Sequence, residues 1–378
     1  MITKSLRTIA ASLAVLFAAT TAHAEDGVTD KEIKVGMANA LSGPASGLGT
    51  QVKAGAEAYI AKVNAAGGVN GRKITLVSLD DGYEPEKSIA ATKKLLEEDK
   101  VFTLFGYVGT PTSTAVVPLA NKAGTPYLFP FTGAEFLRNP VGKWVFNLRA
   151  SYFDETEAMV ERLTKDLGAQ KIALFIQDDA FGEAGKAGVN RALNKRSMKV
   201  AEEARYKRNT LDVDEGIAKM KAAQPDAIVF VGTYKPLAAI VKKAKAAGIK
   251  AKFVTVSFIG TMDFIKEAGA DGDGVYITQV MPSPDDASVG LVKQYKADMK
   301  GDPGYTSLEG YANAVVLVEA LKKAGASLTR ASFTAALESL NTDIGGLQVG
   351  FSGSKHQGSS QVFLTQVKGG KAVSISKF

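Results

Sequence analysis

The chain has 378 residues, of which 46% are hydrophobic and 22% charged, a balance that suits soluble globular domains. Its formal net charge of +7 comes from scattered lysines rather than a basic block, which argues against a nucleic-acid-binding role. There is no cysteine and there are two histidines, so metal sites built from Cys are excluded and hydrolase or metalloenzyme chemistry starts with few of its usual side chains.

The chain opens with the pattern of a secretory signal. Lys4 and Arg7 supply a positive segment, residues 9–19 an apolar run, and Ala22-His23-Ala24 small residues at the cleavage positions. The run is shorter than the ~20 apolar residues a membrane span needs. The predicted mature chain begins at Glu25, is exported and has no membrane span. Its net charge is +5, since Lys4 and Arg7 are removed from +7. His23 leaves with the signal. The remaining His356 sits in a Gly/Ser stretch and reads as a surface-loop residue, and no Gly-x-Ser-x-Gly elbow accompanies it. No catalytic group, metal or cofactor is assigned, and the chain reads as a non-enzyme.

Along the chain, strands alternate with helices. Residues 32–40 read as a strand, 41–49 as a Gly-rich loop, and Thr50 as the cap of a helix whose face carries Val52, Ala56, Tyr59, Ile60 and Val63. Gly67-Gly68 stops it, and Asn70-Gly71 turns the chain into a strand over 73–79. A helix over 85–99 follows. The pattern restarts near 144–152, with helices predicted over 158–167 and 214–223 and strands over 171–177 and 200–206. The last part holds a strand over 275–280, a stiff Met281-Pro282-Ser283-Pro284 connector, helices over 288–299 and 311–324, and a tail of short strands. Such alternation argues for parallel sheets.

Two stretches look like copies of one unit, residues 101–131 and 227–257. Each has an apolar strand, a Gly-Thr, a Pro opening a helix, an Ala-Gly and a second strand. A repeated β-loop-α-β unit implies two lobes on one plan with a cleft between them. The chain is expected to cross between lobes near 146–152, near 280–284 and again in the tail. Two consecutive domains is the simpler alternative that these patterns leave open.

Candidate binding residues cluster after the strands, where open parallel sheets hold ligands. Thr110 reads as an N-cap before Pro111. Its hydroxyl either caps its own helix or, with the free amides of the helix start, holds an anion. Thr132 and Gly133, after Phe131, offer a hydroxyl and an approachable amide. Phe181 and Tyr234 occupy matching loops of the second lobe, as ligand contacts or as packing under the loop. The 41–49 loop and Asp80 do not match a dinucleotide fingerprint in motif or spacing. Asp80-Asp81 and Asp178-Asp179 are adjacent pairs and no obvious acid/base couple.

In order and spacing, EIKVGMANALSGP, NAAGGVNGRKITLVSLDD, the GTPTS and PFTGA loops, DDAFG and VGTYKP resemble the leucine/isoleucine/valine-binding protein family, the type I periplasmic binding proteins of ATP-driven importers. The resemblance covers nearly all of the mature chain. It implies an α/β fold of two Rossmann-like lobes with parallel-sheet cores and a three-segment hinge: residues 25–149 plus 282–357 form the N-terminal lobe, 150–281 plus 358–378 the C-terminal lobe, after signal residues 1–24. It implies a monomer that closes on a small carboxylate-bearing ligand, an amino acid or an organic or aromatic acid, and delivers it to the permease of an importer of the branched-chain amino acid type. A sensing module for a receptor kinase or chemoreceptor is the alternative. Thr110 falls at the family's carboxylate-holding hydroxyl, Phe131, Thr132 and Gly133 on its backbone-contact loop, Phe181 and Tyr234 on its two aromatic positions, and Leu48 on a side-chain contact.

The chain departs from that pattern at three places. Tyr83 and Gly109 stand where some members carry a disulfide. Phe131 is bulkier than the usual small residue. Ser257 falls where amino-acid binders carry the Glu that meets the ligand's ammonium. Unless Asp154, Asp179 or Glu135 replaces that charge, the ligand is expected to be a carboxylate without an α-amine.

Overall fold

A computed structural model describes residues 25–378; the signal assignment lies outside the described residues. The first sheet is built from β1 (Glu32–Asn39), helix α1 (Ser46–Ala65), β2 (Lys73–Asp80), α2 (Pro85–Glu97), β3 (Thr103–Phe105), α3 (Thr110–Ala123), β4 (Tyr127–Leu128) and β5 (Val145–Phe146). Its five strands run parallel in the order β2-β1-β3-β4-β5. The chain then builds a second sheet from α4 (Tyr152–Lys165), β6 (Ile172–Gln177), α5 (Ala180–Asn194), β7 (Glu203–Tyr206), α6 (Asp214–Ala223), β8 (Ala227–Val231), α7 (Tyr234–Ala246), β9 (Lys252–Thr255), α8 (Thr261–Ala268) and β10 (Tyr276–Gln279). Its parallel strands run β7-β6-β8-β9-β10. The order is the same in both sheets: second strand at the edge, then first, third, fourth and fifth.

The chain next returns to the first lobe with α9 (Gly290–Asp298), α10 (Tyr305–Ala324), α11 (Arg330–Glu338), β11 (Asn341–Asp343) and β12 (Gln348–Gly350), where α10 packs on α1. It ends in the second sheet as β13 (Phe363–Lys368) and β14 (Lys371–Ile375), which add antiparallel strands beside β10. Two of the three crossings lie side by side: Asn147 N donates to His356 O (2.8 Å), and Ser359 N donates to Leu148 O (2.9 Å). After the second sheet the chain thus adds helices against the first lobe and then two strands to the second sheet.

The two copies seen in the sequence are β3-α3-β4 and β8-α7-β9, the third and fourth strands of each sheet. β6 and β8 are buried at every position, as expected for central parallel strands covered on both faces. The Asn70-Gly71 turn forms with both residues at positive φ (50° and 79°).

Several expectations need correction. α1 begins at Ser46 rather than at Thr50, whose hydroxyl instead donates back to Ser46 O. The start of α1 packs close: a Cβ on Gly49 would lie 2.2 Å from the Ala40 carbonyl oxygen, so glycines that read as a loop are packing glycines. α4 begins at Tyr152, six residues ahead of its predicted start, because Ser151 and Asp154 form a capping box. α10 begins at Tyr305 rather than 311; it is buried nearly all round, so its start carries no amphipathic stripe. The helices α8 and α11 were not predicted.

His356 is not a surface residue. It is buried, its ring stacks on Phe146 with centroids 3.8 Å apart, and Nδ1 and Nε2 meet backbone carbonyls and Glu338. Among the described residues no helix is long and apolar enough to cross a membrane.

Candidate ligand-binding cleft

In both sheets the strand order reverses between the first and third strands, which opens a crevice at their C-terminal ends. The predicted residues follow those strands in register. Leu48 comes after β1 and Thr110 after β3; Phe181 comes after β6 and Tyr234 after β8. Phe131–Gly133 and Ser257 follow the fourth strands, β4 and β9.

Thr110 is the first residue of α3, and Gly109 is its N-cap. Its hydroxyl therefore does not cap the helix. It lies 2.7 Å from the Thr132 hydroxyl, which in turn donates to Tyr152 Oη (3.3 Å). Three buried hydroxyls thus meet at the start of α3, where helix amides are unpaired and the dipole favours negative charge. A Cβ on Gly133 would lie 2.5 Å from the Tyr152 ring, so only glycine lets this loop approach. Burial pushes the Tyr152 hydroxyl up to about 12, which keeps it a neutral donor.

A second group is aromatic. Phe258 touches Phe181 (centroids 4.4 Å), Phe131 (5.4 Å) and Tyr83 (6.1 Å), and Phe181 touches Tyr152 (5.5 Å). Rings from both lobes therefore meet in the cleft. Phe181 lies in the first turn of α5 rather than in a loop, because Asp179 caps that helix by accepting from Phe181 N (2.9 Å). Tyr83 packs on Gly109, where a Cβ would lie 2.3 Å from the ring. Tyr83 and Gly109, where the resemblance places a disulfide in some members, thus form a ring seated on a glycine.

Leu48 and Tyr234 form a third group, at the mouth. A Cβ on Gly260 would lie 2.7 Å from Leu48 and 3.3 Å from the Tyr234 ring. Tyr234 Oη accepts from Gly47 N (3.1 Å), which ties the second lobe to the first. Further ties at the mouth are Arg208 to Glu84 (2.9 Å) and Asn209 to Glu84 (2.6 Å).

Ser257 meets charge from its own surroundings. Glu155 Oε2 accepts from Ser257 N (2.8 Å) and Thr278 Oγ1 (2.6 Å), and its Oε1 accepts from Ser257 Oγ (3.0 Å). Arg149 Nη2 donates to Ser257 Oγ, its guanidinium lies 4.6 Å over the Phe131 ring, and its Nε lies 3.4 Å from Glu309. All three charged residues are buried. Burial raises both carboxyls and Arg149 opposes it; Glu309 is pushed up to about 7. Phe131 is large here because it supplies the face on which Arg149 rests.

The three acids considered as replacements for the family Glu are all engaged or placed elsewhere. Asp154 closes the capping box and accepts from Gln357, Asp179 pairs with Arg208, and Glu135 opens a short 3-10 turn. Sequence reasoning missed Arg149, Tyr152, Glu155, Phe258 and Glu309. The Ser151-x-x-Asp154 cap would have placed α4, and with it Tyr152 and Glu155. No local signal marks Arg149 or Glu309, which meet only through the crossing of the lobes.

Two parallel-sheet lobes that face each other across their strand ends define a two-lobed α/β binding protein. The chain belongs to the periplasmic binding protein family, which it matches over residues 32–372. It is similar to a crystal structure described as a possible leucine/isoleucine/valine-binding protein from Rhodopirellula baltica (33% identity, 94% of this chain and 98% of that one, TM-score 0.88). It is also similar to a substrate-binding periplasmic protein from Ralstonia solanacearum (29% identity, 91% and 100%, TM-score 0.86). Among curated relatives, the leucine-, isoleucine-, valine-, threonine- and alanine-binding protein of Pseudomonas aeruginosa is 24% identical over 296 residues, 78% of this chain and 79% of its own length. The family identified from ordered motifs is thus the one these relatives represent.

Proposed function

We propose that the protein is a periplasmic solute-binding protein of a branched-chain amino acid type importer, that it captures a small carboxylate by closure of its two lobes, and that it does no chemistry on it. The observation that carries this reading is the meeting of the Thr110, Thr132 and Tyr152 hydroxyls at the start of α3, opposite the aromatic side chains of the second lobe. The hydroxyls suit an anion and the rings an apolar body. The relatives named for branched-chain amino acids and their transport support the importer. Leu48, Phe131, Gly133, Phe181, Tyr234 and Ser257 complete the proposed contact set, on lobes with the boundaries given above.

The ligand proposed is an organic or aromatic acid rather than an α-amino acid. An ammonium beside Ser257 would find Glu155 already accepting three hydrogen bonds. Closure follows from ligand contacts made in both lobes, which favour the closed population. Titration calorimetry against amino acids and organic acids, with small-angle scattering, tests it. Binding of organic acids with compaction is expected. Exclusive binding of α-amino acids would overturn the ligand class, and the lack of any ligand-induced compaction would overturn the closure mechanism.

A further inference from the structure

The charged cluster beside Ser257 is unlike the rest of the cleft. Arg149 lies on the first crossing between lobes and is 1% exposed. Its Nε and Nη1 have no hydrogen-bond partner, and its one hydrogen bond goes to Ser257 Oγ. Nε has only the 3.4 Å ion-pair approach of Glu309 and Nη1 has no partner, so the buried guanidinium is under-bonded, and an anion is the group that would satisfy it. Phe131, Ser257 and Glu309, which contact Arg149, also line a small space beside the Val280–Met281 crossing with Gln279 and Thr306, too tight for a water.

The two acids there differ. Glu155 is fixed by three hydrogen-bond donors. Glu309, on α10 of the other lobe, is held by Arg149, so opening the lobes or seating a ligand can separate it from the guanidinium. The charged groups facing Glu309 are Arg149, Glu155 and, farther back, Arg138. Arg138 cannot take Arg149's place, because it already donates to three carbonyls and Gln357.

We propose that Arg149 and Glu309 form a second anion subsite on the hinge-side wall, that the ligand is a small apolar body with an acidic group at each end, and that Glu309 takes up a proton from solvent when the second acid binds Arg149. The proposal rests on the reading that Thr110 and Thr132 hold the first acid. Glu309 acts as the resident counter-ion that the ligand replaces. If Glu309 stayed charged, it would repel the incoming acid in a desolvated space, so protonation accompanies binding.

The test is calorimetry of the mature chain with adipate against hexanoate and terephthalate against benzoate, at pH 6 and pH 8, in two buffers of different ionisation enthalpy. The diacid of a pair is expected to bind about 10-fold or more tightly than the monoacid, as a charge-assisted contact implies. It should take up close to one proton at pH 8 and less at pH 6. R149Q should remove the preference for the diacid. If R149Q does not fold, E309Q carries the test: it should bind the diacid more tightly at pH 8 and take up no proton. Equal binding of diacid and monoacid with R149Q unchanged, or proton uptake that persists in E309Q, would overturn the subsite alone. Binding of neutral or cationic solutes with no acid bound would overturn the reading beneath it.

Discussion

The two β-α-β copies share a backbone plan and differ in what they bring to the cleft. In the first, β3-α3-β4, the helix starts at Thr110 and the next strand leads to Thr132, so two hydroxyls meet at 2.7 Å. In the second, β8-α7-β9, the same two places hold Tyr234 and Ser257. Tyr234 is spent on Gly47 of the other lobe, and Ser257 on a buried Arg–Glu cluster. Duplicated topology fixes where side chains arrive, at the C-terminal ends around the strand-order reversal. It does not fix their chemistry. One copy brings together neutral hydroxyls, proposed above to hold an anion, while the other lends Ser257 to a buried cluster of charges.

The sharpest way to break this comparison is to remove Arg149. R149M leaves Glu155 and Glu309 without their cation, and a broken buried pair costs ~3–5 kcal/mol. Urea unfolding should show that loss; a loss under ~1 kcal/mol would mean that the cluster is not what organises the second copy. Next in size is a pH effect. Burial holds the folded Glu309 at about 7, above its ordinary value near ~4.3. A raised carboxyl binds its proton more tightly when folded, so its contribution is fully present below pH ~4, is lost as pH rises towards 7, and is constant beyond. The span is of order 3–4 kcal/mol and should be missing in E309Q when stability is followed from pH 4 to 8.

The first copy is probed by Thr110→Val. It should weaken carboxylate binding by ~1–2 kcal/mol and leave thermal stability nearly unchanged, because the hydroxyl caps nothing. A lower melting temperature with unchanged affinity would reassign Thr110 to structure. The smallest effect is expected at the mouth. Arg208 is partly exposed, and Arg208→Gln should shift the closed population by at most ~1 kcal/mol, less at high salt, as scattering at two salt concentrations would show.

Much of the fold was legible. Period and turn residues located the strands of both sheets except β5, and the repeated unit announced two lobes. The helix starts at Ser46 and Tyr305 were hidden because tight packing puts glycines and apolar residues where exposed helices carry caps and stripes. Thr110 and Thr132 were legible as a pair, since each follows a strand of one copy. Arg149 and Glu309 were not: they are 160 residues apart and carry no motif, and only the crossing of the chain between lobes makes them neighbours. His356 shows the same limit, for its Gly/Ser surroundings read as surface while Phe146 and Glu338 enclose it.

The cleft is proposed to close on an acid held by the first copy. The most direct measurement is mass spectrometry of small molecules released by denaturing the protein purified from its native host. One acidic molecule per chain, without an α-amine, is expected, and it should be lost in Thr110→Val together with Thr132→Val. A stoichiometric α-amino acid, or an acid retained by the double variant, would contradict it.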